Sequence, residues 1–196
     1  MNSLFRTLAA LIAGIFFGFI VIALSCLFTA TSFAEFAGAI MSPEIVSAII
    51  LSLKTSTAVV LLALFFGIPA AYILATKRFR GRNVLDTLVD LPIVLPPLVC
   101  GLAILIAFGG EGIFSRFDVL FTVKGIIIAQ LFVASPFLIR SAKTTFESID
   151  RDVLDAARTL GASEFYTFRK VSVPLARNGI ASGVVITWAR ALGEFG

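Results

Sequence analysis

The sequence has no histidine at all, and among its 196 residues only two cysteines, one tryptophan and two tyrosines. Without His, and with only Cys26 and Cys100, there is no Cys/His cluster to hold zinc, no Cys–His pair and no Ser–His–Asp triad. Charge is scarce as well. A soluble domain of this size carries roughly a quarter charged residues and slightly under half apolar ones. This chain is 14% charged and 59% hydrophobic, with a mean hydropathy of +1.03. Its apolar surface exceeds what one interior of this size can bury, which argues against a soluble globular enzyme. A phosphate-binding Gly-x4-Gly-Lys-Ser/Thr run is missing too: the one Lys beside a Gly, Lys124-Gly125, stands in the wrong order. Both cysteines lie inside apolar runs and read as packing residues.

What the chain does have is long hydrophobic runs. Residues 8–28, 57–76, 91–108, 123–139 and 179–196 predict five spanning helices, since about 20 apolar helical residues cross a hydrocarbon core of about 30 Å. The first run also has features of a signal peptide, with Arg6 ahead of it and Ser32-Phe33-Ala34 as a small-x-small site. Its apolar length exceeds the roughly 7–15 residues of such a segment, which favours a retained helix. Ser42-Pro43-Glu44 has N-cap and first-turn character and predicts a short amphipathic helix feeding the second span. Pro92, Pro96 and Pro97 interrupt the third. No hydrophilic domain boundary or internal repeat is visible, so residues 1–196 read as a single all-α membrane domain.

Twelve of the 16 basic residues fall on one side of these spans: Arg6, the cluster from Lys77 to Arg82, and seven between Arg140 and Arg177. Under the positive-inside rule the N-terminus and the long loop 141–178 are cytoplasmic. Within that loop Asp150 suits an N-cap, and Val153, Leu154, Ala157 and Leu160 fall on one helical face. Gly161 fits a left-handed stop. Ser163 then caps a second short helix bearing Phe165, Tyr166 and Phe168, which is expected to end before Pro174. On pattern alone this knuckle is equally an amphipathic connector at the bilayer surface. A DNA-reading helix-turn-helix is disfavoured by its tethering to spans at both ends.

Asp155-Ala156-Ala157, three residues, Gly161, nine residues, Val171, one residue, Val173-Pro174 resembles the EAA loop, Glu-Ala-Ala-x3-Gly-x9-Ile-x-Leu-Pro, of ABC importer permeases. Asp90 to Pro97 and Trp188 to Gly196 are similar to stretches of the molybdate, sulfate and tungstate type. The resemblance implies an all-α, polytopic helical bundle that translocates an oxyanion, molybdate foremost with sulfate or tungstate as alternatives, by alternating access at a homodimer interface. It implies that the loop docks on a separate ATP-binding cassette ATPase through Asp155, Ala156, Ala157, Gly161, Ala162, Phe165, Phe168, Val173 and Pro174. ATP and Mg then belong to that partner, with no cofactor or metal in this chain and no nucleic acid. The further partners implied are a second copy of the permease, an extracytoplasmic substrate-binding protein and the lipid membrane. Moving a dianion inward against an inside-negative potential costs about 4.6 kcal/mol per 100 mV, so accumulation needs an energy source. Permeases of this type usually have six spans and continue past the Gly-Glu-Phe-Gly stretch, so the five visible here imply a chain shortened at its C-terminus.

Polar groups inside spans are the candidates for a pathway. Arg190 lies 13 residues beyond Arg177, about 20 Å along a helix, a depth at which a charge is functional by default. Glu194, at i+4, is placed either to neutralise it or to open when an anion passes. Pro96 and Pro97 form either a packing kink or a hinge. Thr187, Gln130 and Ser135 are weaker candidates, since single polar residues commonly bond across helix pairs. A passive channel, an ion-coupled transporter or a membrane-anchored scaffold are the competing classes.

Overall fold

A computed structural model describes residues 3–29 and 32–194, and all regular structure among them is helical. The chain divides into two units, residues 1–50 and 51–196. The first holds α1 (Ser3–Thr29), α2 (Phe33–Ile40) and the start of α3 (Pro43–Leu62). α1 contains a 22-residue apolar stretch, Phe5–Cys26, long enough to cross a membrane. Ser42 caps α3 by accepting from the Ile45 N–H at 3.4 Å. The cap falls where the sequence puts it, yet the helix it opens is no short feeder. It runs on as one 34-residue apolar stretch, Pro43–Thr76, that includes α4 (Ile68–Thr76).

In the second unit a π turn at Ala63–Gly67 joins α3 to α4, two residues ahead of Pro69. Proline cannot donate to the carbonyl four residues back, and its ring crowds that carbonyl. Widening the preceding turn relieves the clash without ending the helix. The same device recurs at Phe168–Ser172, two residues ahead of Pro174. The short helix therefore does not stop before Pro174, as its sequence suggests. It passes through the π turn into α10 (Val173–Leu175).

The third expected span is also broken. The chain bends by 116° between α5 (Arg82–Val94) and α6 (Pro97–Phe108). Pro96 holds ψ at 141° and Leu95 at 138°, because a residue before proline is driven out of the helical region. α7 (Val123–Glu147) is longer than the expected 123–139, with Thr122 accepting from the Gly125 N–H at its start. The final helix, α11 (Arg177–Leu192), follows a short break at Ala176. Phe195 and Gly196, which end the expected fifth span and the Gly-Glu-Phe-Gly stretch, lie outside the described residues.

α7 is the axis of this unit and packs against α4, α5 and α11. Ala63, Ile68, Ala71, Tyr72, Leu138, Ala142, Phe146 and Ala176 form its main core. Gly179 and Gly183, four apart on α11, face α7, where a Cβ on Gly183 would lie 2.9 Å from Leu138. In a bilayer, where hydrophobic attraction between helices is weak, such small residues bring backbones within van der Waals reach. Ser141 donates to the Gly179 carbonyl at 2.7 Å, and Thr187 to the Ala134 carbonyl at 3.2 Å.

Candidate coupling surface and buried ion pair

The loop after α7 folds as its residues direct. Asp150 accepts from the Asp152 N–H at 3.0 Å and opens α8 (Arg151–Thr159). Gly161 takes φ +82°, a conformation open to glycine at no steric cost. Ser163 accepts from the Tyr166 N–H at 3.2 Å and opens α9 (Glu164–Thr167). Two short helices thus meet at a fixed corner. Asp155 is held by Arg158 at 2.9 Å, Ala156 is exposed and Ala157 half-buried. Leu160 is 88% exposed and Phe165 69%, and Ala157, Leu160, Gly161, Ala162, Tyr166 and Val171 line one shallow groove. A compact apolar patch on a charged loop is the surface type that binds another protein.

Not every expected docking residue belongs to that patch. Of the apolar residues expected on one helical face, Leu154 is buried, while Val153 and Leu160 are exposed. Phe168 turns inward, its ring 4.9 Å from Tyr72 and 6.5 Å from Phe146, centre to centre. Val173 also packs on the core, while Pro174 is exposed. The inward turn of Phe168 corrects its reading as an anchor for a partner. Residues 165 and 168 differ by about 300° at 100° per residue, but the widened π turn beginning at Phe168 carries its ring toward the bundle.

Sequence reading missed the contacts that hold this loop and α5 in place. Lys77, just after α4, pairs with Glu164 at the head of α9. The Lys77 ammonium, by hydrogen bond first and charge second, holds the Glu164 carboxyl below its ordinary range. Three further pairs form a ladder between α5 and α7: Arg82 to Glu147 at 3.0 Å, Lys143 to Asp86 at 2.7 Å, and Arg140 to Asp90 at 2.6 Å. The available signal was spacing, with Asp86 and Asp90 at i,i+4 and Arg140 and Lys143 at i,i+3.

Among the pathway candidates, Arg190 and Glu194 do form an ion pair, both partly buried. Glu194 borders a cavity of about 500 Å³ shared with Pro97, Gly101, Leu105, Ala129 and Val133. Thr187 is fully buried and its hydroxyl is used on α7, and Gln130 donates to the Ala191 carbonyl at 3.0 Å. Those two side chains bond across the α7–α11 contact. Ser135 borders a separate groove with Leu88 and Pro92. Pro96 and Pro97 stand exposed at the bend, and among the described residues no group of His, Cys, Asp and Glu is arranged to hold a metal.

Apolar helices long enough to cross a membrane, with an exposed two-helix knuckle, define a helical membrane protein that presents a surface to a partner. The chain belongs to the family of binding-protein-dependent transport system inner membrane components, whose model matches residues 63–196. It is 40% identical over 193 residues to a probable molybdenum ABC transporter permease protein of Haloferax volcanii, covering 97% of this chain and 72% of the relative. It is 44% identical over 154 residues to the molybdate/tungstate transport system permease protein of Thermococcus kodakarensis, covering 79% of this chain and 60% of that relative. The fold is similar to that of an inward-facing MetNI methionine ABC transporter, with TM-score 0.65 and 20% identity over 78% of this chain and 74% of the other. The chain is thus a multi-pass inner-membrane transport permease subunit of the ABC importer class, and not an enzyme.

Proposed function

We propose that this chain forms the pathway of an ATP-driven oxyanion importer whose cargo is molybdate. The observation that carries the transport role is the knuckle of α8 and α9, which offers Leu160 and Phe165 to a partner while its other side is tied to the bundle. In this reading the knuckle docks on an ATP-binding cassette ATPase, which holds the ATP and Mg. An extracytoplasmic binding protein delivers the anion on the opposite face. Two copies of the permease enclose the path, and ATP binding and hydrolysis alternate its access. Twelve basic residues on one side of the spans support a cytoplasmic knuckle and N-terminus.

Arg190 offers the anion a cation inside the bilayer, and Glu194 occupies that cation when no anion is present. A charge so placed is stabilised by its pair, and a dianion competes for it with twice the charge. The names of the relatives support molybdate and leave tungstate as the competing cargo.

Cysteine placed at Ala162 is expected to cross-link to the ATPase in an ATP-dependent manner, and labelling of lipid alone would refute docking. In proteoliposomes containing the complete importer, Arg190→Gln is expected to lower molybdate uptake at least tenfold without loss of the ATPase, a drop of about 1.4 kcal/mol or more. Undiminished uptake removes Arg190 from the path. A larger uptake of tungstate than of molybdate at equal concentration reassigns the cargo.

A further inference from the structure

The loop from Asp150 to Pro174 reaches the bundle through few side chains. Of its three aromatic residues, Phe165 and Tyr166 face outward at 69% and 55% exposure. Phe168 is the one in ring contact with the spans. It closes a triangle with Tyr72 of α4 and Phe146 of α7, the three centroid distances being 4.9, 5.4 and 6.5 Å. Tyr72 and Phe146 are 9% and 2% exposed, so both are fixed by the surrounding core. Tyr72 and Phe146 meet edge-on at 83°, and the Phe168 ring is tilted by 56° and 48° against them. Close aromatic pairs add about 0.5–1.5 kcal/mol beyond area burial, and close-packed rings resist displacement.

Two buried hydroxyls border the turn that Phe168 opens. The hydroxyls of Thr167 and Ser172, each at most 1% exposed, have no hydrogen-bond partner among the described residues. An unmet buried hydroxyl costs about 1–3 kcal/mol, so these side chains do not hold the turn: its backbone is closed by the Val173 N–H on the Phe168 carbonyl, and its side chains add apolar packing. The π turn that starts at Phe168 is itself an irregularity of the kind found at functional sites. Lys77 and Glu164 add a second tie between the end of α4 and the head of α9. A displacement of α9 by a docked partner therefore reaches α4 and α7 through the Phe168 ring, with Val173 and the Lys77–Glu164 pair beside it.

We propose that Phe168 is a positioning residue, a wedge between Tyr72 and Phe146 that converts movement of the coupling loop into movement of α4 and α7. This rests on the docking reading above. The wedge acts through its neighbours and touches neither cargo nor ATPase. Its loss leaves the partner bound and the ATP consumed, but separates that consumption from transport. Tyr72 contributes its ring, so Tyr72→Phe preserves the linkage.

The test uses the complete importer in proteoliposomes, with molybdate as the transported probe, and compares wild type with Phe168→Leu, Phe168→Ala and Tyr72→Phe. Phe168→Leu retains apolar volume and keeps the bundle folded if Phe168→Ala does not. Expected for Phe168→Leu is unchanged retention of the ATPase, with molybdate moved per ATP reduced about tenfold, a coupling loss of ordinary allosteric size. Tyr72→Phe is expected to match wild type. Loss of the ATPase on Phe168→Leu makes Phe168 a docking residue and overturns the wedge, as does unchanged uptake per ATP. If wild type hydrolyses ATP but moves no molybdate, the cargo reading has failed. The wedge is then decided by spin labels at Asp152, exposed on α8 away from the groove, and Val94, whose ATP-driven change in separation must shrink in Phe168→Leu. If wild type retains no ATPase, docking and wedge fall together.

Discussion

Replacing Gly183 by Ala sets two effects of opposite sign against each other. Alanine favours an isolated helix by about 1 kcal/mol over glycine. In α11 the new Cβ would lie 2.9 Å from Leu138 Cδ1, 3.0 Å from Ser141 Cβ and 3.2 Å from Leu138 Cα. Carbon atoms prefer about 3.5–4.0 Å, so α7 and α11 must part by roughly 0.5–1 Å, since one obstacle is backbone. Overpacking of this kind costs about 1–3 kcal/mol. The parting also stretches the Ser141 to Gly179 and Thr187 to Ala134 bonds, each worth about 0.5–1.5 kcal/mol. After the propensity gain the net loss is about 1–5 kcal/mol, the upper end requiring both bonds to be lost outright, or from about 5-fold to a few thousand-fold in the folding equilibrium. Trp188, the single tryptophan, sits on this helix, so its fluorescence during a denaturing-detergent titration follows the contact directly. Gly179→Ala meets Thr145 Cβ at 2.7 Å, and Thr145→Gly in the same chain is expected to restore part of the loss. Gly183→Ala at or above wild-type stability would refute the close approach, because propensity would then be the only effect left.

Three further outcomes are expected. Lys143→Met removes the partner of a carboxylate whose side chain is only 27% exposed, and should cost about 1–3 kcal/mol in the same titration, less than a fully buried pair, with Asp86→Leu added to it restoring at least half. Leu160→Asp, at a site 88% exposed, should leave stability within about 0.5 kcal/mol yet reduce capture of the ATPase at least tenfold, measured by co-purification. The Glu164 carboxyl is held below its ordinary value by Lys77, so the tie is intact above about pH 4.3 and is lost as pH falls through the lower folded value. Protection of the amides at residues 164–167, taken relative to the intrinsic exchange rate at each pH, should fall across that range, and Glu164→Gln should abolish that fall.

The caps at Asp150 and Ser163, the left-handed Gly161 and the Arg190–Glu194 pair were legible because each depends on residues a few positions apart. Local spacing fixes local geometry, whatever the rest of the chain does. The inward turn of Phe168 was not legible, since it depends on a π turn that no side-chain pattern announces and on Tyr72, 96 positions earlier. The same holds for the ladder between α5 and α7, whose charges first read as markers of orientation. Its partners lie 50 to 65 positions apart. Gly179 and Gly183 stand four apart in the sequence, a spacing not read there as a helix contact, and the facing side chains of α7 show what it admits.

The bend between α5 and α6 has a sulfur at its inner corner. Cys100 is 1% exposed, with Sγ 4.0 Å from the carbonyl oxygens of both Pro92 and Leu95. Its accessibility is tied to the angle between those helices: straightening or further folding at Pro96 draws the thiol away from the corner that hides it. Cys26, the other thiol, is exposed and sets the background. The native chain thus carries its own gauge of that joint, readable by alkylation during turnover without introducing a residue.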